Sequence, residues 1–474
     1  MNSQAHSHPA RRTKIITTLG PATESDEVLK GLVEKIDIAR LNFTHAQHGW
    51  ASEAVKRIRH FAAAAGRPVA VMMDTQGPSI RTGSLEKPLE LKPGGTLVFT
   101  VHGEKEQEFP SVDVNYDFVN DVRVGDTVLV DNGVIRMEVL EKHPRKIRCR
   151  VLTEGVLGSH RHINLPGVHV NLPSITSKDL EDIEWAIQND LEWIALSFVR
   201  EARDIAEVRK FLKEHGSDIR IIAKIEDQEA VANFDELMEA ADALMIARGD
   251  LGIECHLEEL PIIQRRIVKR CLYTGTTVIV ATHILESMIE KPIPTRAEVT
   301  DAANAVYEQA DAVMLSGETS IGKYPLQAVD VLDRIARRIE RSGGANYAEK
   351  AAVANPREKL AHSAVIMAND LRARALIVFT RYGQMPKLVS WLRPRYSAIF
   401  AFCDNPKVVR QMQLLWGVHP FELQFQDDPE KTVAEAIKVL KKNAMIQKDE
   451  WVVSISHILS KGLPIDSVQM RVVE

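Results

Sequence analysis

Short runs of apolar, β-branched residues alternate with longer amphipathic stretches along most of this 474-residue chain. Buried parallel strands have such continuous apolar runs, and helices must connect them. The eight runs are Lys14–Thr18, Ile36–Asn42, Val69–Asp74, Trp193–Phe198, Arg220–Ile225, Ala243–Ala247, Thr277–Ala281 and Ala312–Leu315. Eight parallel βα units predict an α/β fold, a closed (β/α)8 barrel of the TIM type. An open doubly wound sheet is the competing architecture.

Apolar residues at helical spacing lie between these runs. Leu180, Ile183 and Ile187 fall at i, i+3 and i+7, with Thr176 or Ser177 in the position of an N-cap. The segment 265–271 has the same periodicity and a charged outer face. These stretches therefore predict the helices that the βα units require.

The alternation breaks twice, which predicts three domains. From about Gly83 to Val168 the helical period disappears and turn signals separate short alternating strands, as in an inserted small all-β lid domain. The Gly-rich stretch Ser342–Asn346 reads as a linker to a C-terminal α/β domain, whose predicted strands are Ala375–Thr380, Ala398–Phe402 and Val452–Ile455. We expect a barrel in residues 1–82 and 169–341, the lid in 83–168 and the last domain in 345–474.

Composition limits the partners and the compartment. The formal net charge is −5 and the hydrophobic fraction is 45%, so we expect a globular protein that binds neither nucleic acid nor membrane. No apolar run approaches the roughly 18 residues of a membrane span, and the first residues lack an apolar signal region. The four cysteines form no Cys-x-x-Cys pair, which favours a cytoplasmic location.

Polar and charged residues follow most of the predicted barrel strands, where catalytic groups of such barrels lie. Arg40, Asn42 and Thr44 alternate along the second strand and share one face. The other clusters are Asp74–Gln76 with Arg81, Lys224 with Glu226, Arg248–Asp250, Thr282–His283 and Ser316–Thr319. Each alone is commonly a surface turn or a solvated ion pair. A barrel would bring all of them to one face, where such a charge density requires bound ions.

Residue chemistry indicates the kind of ligand. Glu226 and Asp250 are hard oxygen donors, which suit Mg²⁺ or Mn²⁺. Arg40 and Lys224 are cations suited to a phosphoryl group, and Gly249 at a helix start would offer backbone N–H groups to an anion. Together these groups predict phosphoryl transfer by positioning and charge neutralisation. A separate set of oxygens suits either a monovalent cation or a plain hydrogen-bond network: Asn42, Thr44, Asp74 and Thr75.

Several motifs resemble those of the pyruvate kinase family over the barrel, from about residue 13 to residue 339. They are the segments 13–23, 39–45, 74–83, 224–226, 247–252, 281–282, 285–288, 294–298 and 314–319, with 130–133 and 164–167 in the predicted lid. The resemblance implies a barrel with a lid and a C-terminal domain, assembled as a homotetramer. It also implies transfer of the phosphoryl group of phosphoenolpyruvate to ADP in the last step of glycolysis.

The resemblance also implies roles for individual residues. Glu226 and Asp250 would hold the divalent metal, Arg40 would contact the substrate phosphate, and Lys224 would stabilise the phosphoryl group in transit. The backbone of Gly249 and Asp250 would bind the substrate carboxylate together with Thr282, which lies where the enolate is protonated. Three residues would face the nucleotide phosphates: Arg81, Arg161 and His45. The potassium ligands of the family match Asn42, Thr44, Asp74 and Thr75.

Some positions depart from the family pattern. Ser79 replaces an acidic residue, or a lysine in potassium-independent members, and this leaves potassium dependence open. Arg161 stands where the family usually has lysine and keeps the charge with a different geometry. Smaller changes are Thr44 for serine, Asn132 for aspartate and His283 for glutamine. In the last domain, the segments 380–385 and 456–462 stand where the family has a Ser/Thr-rich loop and a Gly-rich loop, and the usual hydroxyl cluster is missing. We therefore expect no fructose-bisphosphate activation of the usual type. Arg381 and Lys461 could still bind an anion, but a solvated surface fits them better.

Two other functions fit parts of the pattern. Another metal-dependent barrel enzyme acting on phosphoenolpyruvate or pyruvate would share the oxygen ligands, but it would not need the cations Arg81 and Arg161. A pseudoenzyme acting as a binding module would not need Lys224, Glu226 and Asp250 together.

Overall fold

The computed structural model describes residues 11–104, 106–460 and 463–474, with the side chains at 457–460 and 463–465 excepted. Eight parallel strands close into a barrel in the spatial order first, eighth, seventh, sixth, fifth, fourth, third, second. They are Lys14–Thr18, Ile38–Asn42, Ala70–Asp74, Trp193–Leu196, Arg220–Ile225, Ala243–Ala247, Thr277–Ala281 and Ala312–Leu315. The predicted (β/α)8 barrel is confirmed, and the open doubly wound sheet is wrong.

Helices cover the outside of the barrel. In chain order they are Asp26–Val33, His48–Ala64, Ser177–Gln188, Ala202–Glu214, Gln228–Ala232, Phe234–Ala240, Arg248–Glu254, Leu260–Thr274, Arg296–Tyr307, Gly317–Ser320 and Pro325–Glu340, with 3-10 turns at Pro21–Thr23 and Glu286–Ile289. The predicted N-cap at Thr176 is confirmed, since its side chain accepts the Asp179 N–H and the Asp179 side chain accepts the Thr176 N–H.

The fourth barrel strand ends earlier than the sequence predicts. It stops at Leu196 rather than Phe198. Phe198 has φ +55°, a left-handed conformation that cannot continue a strand. The chain therefore turns directly after Ser197.

A mostly antiparallel sheet is inserted between the third and fourth barrel strands, as predicted. Its seven strands lie in the order Ile80–Arg81, His162–Asn164, Thr127–Val130, Ile135–His143, Lys146–Val151, Thr96–Val101 and Ser111–Val114. A single bridge between Thr82 and Val114 joins its two edges. Leu89–Leu91 and Gly155–Leu157 form a separate two-stranded ribbon. This sheet encloses a core of its own around Phe99 and Phe118.

The C-terminal α/β domain has a five-stranded sheet. Its order is Val418–Glu422, Ala398–Cys403, Ala375–Phe379, Trp451–Ser460 and Leu463–Val472, and only the last strand is antiparallel to its neighbour. The helices are Pro356–Asp370, Gln384–Trp391, Pro406–Gln411 and Pro429–Lys442, with 3-10 turns at Tyr347–Lys350 and Met412–Leu414.

The C-terminal domain packs against the bottom of the barrel, where the strands begin. Leu414 is fully buried among interior barrel residues that include Ile16, Met72 and Trp193. The Lys14 ammonium donates to the Val418 carbonyl at 2.5 Å. These contacts close the lower end of the barrel, so the opposite end, at the carboxyl ends of the strands, remains for a site.

Among the described residues, no helix is long and apolar enough to cross a membrane. The four cysteines are all free, and Cys149, Cys271 and Cys403 are buried.

Candidate active site

The Lys224 ammonium is the centre of a buried ionic network at the carboxyl ends of the barrel strands. Its Nζ lies 3.0 Å from Asp74 Oδ1, 2.8 Å from Glu226 Oε1 and 2.6 Å from Ser197 Oγ. Burial lowers the pKa of Lys224, but the carboxylates of Asp74 and Glu226 outweigh burial and hold that pKa above its usual value. The lysine is therefore cationic at neutral pH.

Arg40 shares the Asp74 carboxylate with Lys224. Arg40 Nε donates to Asp74 Oδ2 at 2.7 Å and its Nη1 donates to Thr18 Oγ1 at 2.9 Å. Burial raises the pKa of Asp74, but the two cations lower it by more, so the pKa lies below its usual value. The second, third and fifth strands thereby bring Arg40, Asp74 and Lys224 together, as the sequence predicts.

Ser197 is a member of this network that the sequence analysis missed. Its hydroxyl donates to the Thr75 carbonyl at 2.8 Å and lies 3.2 Å from Asp74 Oδ1, while its N–H donates to Thr75 Oγ1. Its position could have indicated this role, because Ser197 directly follows the apolar residues of the fourth strand. It was overlooked because a lone serine carries no charge.

Glu226 and Asp250 are the predicted metal ligands. Glu226 is 1% exposed, and its Oε2 accepts the Phe198 N–H at 2.8 Å. The pKa of Glu226 is raised to about 7, because burial and the nearby Asp250 raise it by more than Lys224 lowers it. Asp250 is half-buried, and its carboxylate has no ion pair among the described residues. A divalent cation fits two such carboxylates, since Mg²⁺ takes one or two carboxylates and completes its shell with water and phosphate oxygens.

Thr282 lies beside the start of the helix Arg248–Glu254. Its Oγ1 accepts the Gly249 N–H at 2.6 Å and donates to the Ala281 carbonyl at 2.7 Å. The Gly249 N–H is therefore already used within the protein, whereas the sequence argument presented it as open to an anion. A substrate carboxylate reaching this N–H would replace the threonine hydroxyl as its acceptor.

The four residues predicted to suit a monovalent cation lie at the ends of the second and third strands. Asn42 and Asp74 are direct register partners. Asn42 Oδ1 accepts the Thr44 N–H at 3.2 Å, and Thr75 Oγ1 accepts the Ser197 N–H at 3.0 Å. The Asp74 carboxylate and these oxygens retain free lone pairs. The geometry is therefore compatible both with a cation site and with a plain hydrogen-bond network.

The predicted nucleotide residues lie at the rim of the site. Arg81 is on the inserted sheet, where its Nη1 donates to the His160 carbonyl at 3.2 Å. Arg161 is exposed and lies 3.3 Å from Asp131, while its N–H donates to Thr82 Oγ1. His45 is exposed on the loop after the second strand. Arg81 and Arg161 are thus close neighbours, whereas no contact joins His45 to them among the residues described.

The positions that depart from the family pattern lie in different surroundings. Ser79 Oγ accepts from Arg81 Nε at 3.2 Å. Asp131, Asn132 and Gly133 all have positive φ, a conformation that asparagine adopts readily. His283 is exposed with φ +51°. Arg381 is exposed, and Lys461 lies outside the described residues, as do residues 1–10 on which the signal-region expectation rested.

Comparison with known proteins agrees with this geometry. The family model for the pyruvate kinase barrel domain matches residues 10–329, and the model for the pyruvate kinase alpha/beta domain matches residues 358–463.

Curated relatives and a solved structure agree as well. Plastidial pyruvate kinase 2 of Arabidopsis thaliana is 41% identical over 93% of this chain and 77% of its own length. Pyruvate kinase of Geobacillus stearothermophilus is 40% identical over 96% of this chain and 78% of its own. The crystal structure of a pyruvate kinase from Cryptosporidium parvum superposes with a TM-score of 0.93 at 35% identity, covering 98% of this chain and 96% of that one. With two matching domain models and relatives of this similarity, the chain belongs to the pyruvate kinase family.

Proposed function

We propose that this chain transfers the phosphoryl group of phosphoenolpyruvate to ADP and releases ATP and pyruvate, as the last step of glycolysis. The observation that carries the proposal is the Lys224 ammonium, which three acceptors at or just after the ends of the third, fourth and fifth strands hold at the barrel mouth. Family membership makes the chain a phosphotransferase. Membership also argues against the alternative of a different phosphoenolpyruvate barrel, and the complete Lys224 network argues against a pseudoenzyme.

Arg40 and Lys224 bind and orient the transferred group. Only two of the five N–H donors of Arg40 have partners among the described residues, so its outer edge is open to phosphate oxygens. The ammonium of Lys224 exchanges one of its three acceptors for a phosphoryl oxygen. Because both cations are anchored on Asp74, their charges stay fixed while negative charge moves from phosphoenolpyruvate to ADP.

Thr282, Gly249 and Asp250 hold the other end of the substrate. The substrate carboxylate accepts the Gly249 and Asp250 N–H groups, which releases the Thr282 hydroxyl from its bond to Gly249. That hydroxyl then faces the methylene carbon of the enolate and supplies or relays the proton that gives pyruvate. Catalytic contact with substrate is thus proposed for Lys224, Arg40 and Thr282.

Glu226 and Asp250 would hold Mg²⁺ or Mn²⁺, and Asn42, Thr44, Asp74 and Thr75 would hold K⁺. When bound, the divalent ion supplies positive charge to the oxygens of the transferred group. The support is the oxygen-only donor set and the half-buried Asp250 carboxylate, which has no ion pair in the described part of the chain. For K⁺ the support is the strand register that places Asn42 opposite Asp74.

ADP binds between the barrel mouth and the inserted sheet, against Arg81, Arg161 and His45. A cleft of about 370 Å³ between the barrel and the inserted sheet is lined in part by Ile80 and His162, which adjoin Arg81 and Arg161 in the chain, while the two arginines lie outside its lining. Arg161 would leave Asp131 to meet the nucleotide phosphates, because the exposed pair is held weakly.

A homotetramer and a cytoplasmic location belong to the same proposal. Exposed apolar side chains follow the sixth, seventh and eighth strands, and they suit an interface between copies. They are Leu257, Ile262, Ile293, Val299, Tyr307 and Ile321. Sedimentation of the purified chain should give four chain masses. The domain limits 1–82 with 169–341, 83–168 and 345–474 also remain proposals; the strand Ile80–Arg81 lies within the first range but pairs with the inserted sheet.

A coupled assay tests the proposal. Pyruvate is followed with lactate dehydrogenase and NADH, with ADP, Mg²⁺ or phosphoenolpyruvate omitted in turn and with K⁺ replaced by tetramethylammonium. We expect pyruvate only when substrate, nucleotide and divalent ion are all present. Pyruvate formed without nucleotide would instead support the alternative barrel enzyme.

A further inference from the structure

We propose that Arg248 is a positioning residue: its buried guanidinium fixes the loop Ala281–His283 and so presents the Thr282 hydroxyl to the substrate. The inference rests on the proposed role of Thr282 and deepens it. Arg248 directly precedes Gly249 and Asp250, but its side chain is 6% exposed and its acceptors lie at or just after the end of the seventh strand and on two outer helices.

All five N–H donors of Arg248 have acceptors. The bonds are Nε to the Ala281 carbonyl at 3.3 Å, Nη1 to Gln264 Oε1 at 3.2 Å and to Asp301 Oδ1 at 2.8 Å, and Nη2 to the carbonyls of Thr282 at 2.7 Å and His283 at 3.3 Å. A guanidinium offers five donors in a fixed plane, so none of them is left for substrate. Three of the five acceptors are consecutive backbone carbonyls of one loop.

That loop has an unfavourable backbone conformation. Thr282 has φ +65° and His283 has φ +51°. Positive φ is uncommon for residues other than glycine and is an outlier for a β-branched residue such as threonine. Two such residues in succession persist only where surrounding contacts hold them. Arg248 supplies those contacts, since it binds the carbonyl of each residue.

The conformation of the loop determines where the Thr282 hydroxyl lies. This hydroxyl bridges the Ala281 carbonyl and the Gly249 N–H. The Ala281 carbonyl accepts from both Thr282 Oγ1 and Arg248 Nε. Arg248 therefore connects the start of the helix that carries Asp250 to the loop that carries Thr282, and it acts on the reaction only through that loop.

Lysine cannot replace this arginine. An ammonium has three donors arranged around a point charge, so at least two of the five acceptors would lose their partner. We expect the Arg248→Lys variant to keep its charge while the loop relaxes from its left-handed conformation.

A double-mutant cycle with Thr282→Ala tests the inference. Rates of pyruvate formation are measured for the wild type, Arg248→Lys, Thr282→Ala and the double variant, with kcat and KM separated. We expect Arg248→Lys to lower kcat at least tenfold and to change KM for ADP less than threefold. In the Thr282→Ala background the same change should cost less than threefold, because the residue it positions is gone. Equal losses in both backgrounds, or a single variant within threefold of the wild type, would overturn the proposal.

A matched control and a second readout complete the test. Arg265→Lys makes the same substitution at an arginine that pairs with Glu308 and does not touch the loop, so it should stay within twofold of the wild-type kcat. Hydrogen exchange of peptides covering 281–285, measured without substrate, should accelerate in Arg248→Lys and not in Arg265→Lys. This readout still decides whether Arg248 holds the loop if the chain proves inactive on phosphoenolpyruvate. Unchanged exchange would contradict the proposal.

Asp301→Asn covers the case in which Arg248→Lys does not fold. It keeps the guanidinium and removes the charge of one acceptor. We expect a smaller fall in kcat of the same kind, again largely lost in the Thr282→Ala background. A full additive effect would contradict the positioning role.

Discussion

Single residues in this site are held by partners on neighbouring strands. Asp74 accepts from Arg40 and Lys224, although it is only 1% exposed. A buried carboxylate is costly unless it is paired and hydrogen-bonded, and here each of its oxygens has a donor. The two cations are fixed before any substrate binds, so little reorganisation is needed during transfer.

Ser197→Ala tests whether the network orients Lys224. The variant removes an acceptor 2.6 Å from the ammonium. We expect kcat to fall about tenfold or more with a small change in KM, and stability to fall by about 1 kcal/mol. Ser454→Ala is the matched control, because Ser454 is equally buried and its hydroxyl has no partner in the described part of the chain. Equal activity in the two variants would contradict a role for Ser197.

Glu254 predicts a pH dependence of stability. It is 9% exposed, and its Oε1 accepts from Asn164 of the inserted sheet. Burial raises the pKa of Glu254 to about 7. Because the pKa of Glu254 is higher in the folded than in the unfolded chain, the protonated Glu254 stabilises the fold. This contribution is complete below about pH 4.5 and is lost as the pH rises through 7.

Denaturation between pH 5 and pH 8 measures this effect. The free energy of unfolding should fall by up to about 3 kcal/mol more in the wild type than in Glu254→Gln over that range. Glutamine keeps an oxygen for Asn164 and does not ionise, so the variant should show the flatter profile. Parallel profiles would show that Glu254 does not titrate in this window.

Among the secondary-structure elements, the 3-10 turn Met412–Leu414 has an unusual role, because it comes from one domain and fills the barrel of another. Leu414→Ala should therefore destabilise the barrel, by about 2–5 kcal/mol, through the cavity left among Ile16, Met72 and Trp193. Urea denaturation measures the loss. Val124→Ala is the control, since Val124 is 64% exposed and should change stability by less than about 0.5 kcal/mol. Equal stability of the two variants would contradict this packing.

The predictability of an element depended on how fully it is buried. The strands Arg220–Ile225, Ala243–Ala247, Thr277–Ala281 and Ala312–Leu315 have the predicted bounds, because a strand covered on both faces is a continuous apolar run. Val418–Glu422 was missed. It contains Pro420, which argues against an interior strand, and it lies at the edge of its sheet, where proline is tolerated.

The candidate site was predictable where its residues carry charge. Arg40 and Lys224 lie near the carboxyl ends of apolar strands, Glu226 and Asp250 come just after such strands, and a barrel necessarily brings these positions to one end. Ser197 and the role of Arg248 could not be foreseen in this way. The role of Ser197 depends on where a neutral hydroxyl points. The role of Arg248 depends on the carbonyls of loop residues with positive φ, which the spacing of residues in a sequence does not reveal.

The whole molecule places the site between two added parts. The C-terminal domain closes the bottom of the barrel, and ion pairs such as Arg410 with the fully buried Glu192 reinforce that contact at 2.6 Å. The inserted sheet stands at the other end and carries Arg81 and Arg161. Although the formal net charge of the chain is −5, cationic side chains are concentrated at the barrel mouth.

The most direct test of phosphoryl transfer at this site compares the wild type with Lys224→Met. ATP and pyruvate are quantified together, ATP by phosphorus NMR, with phosphoenolpyruvate, ADP and Mg²⁺, and Mn²⁺ binding is measured separately. We predict equal amounts of ATP and pyruvate from the wild type, a rate lower by at least a hundredfold in Lys224→Met, and retained Mn²⁺ binding through Glu226 and Asp250. Near-normal turnover by Lys224→Met, or pyruvate without ATP, would contradict the account.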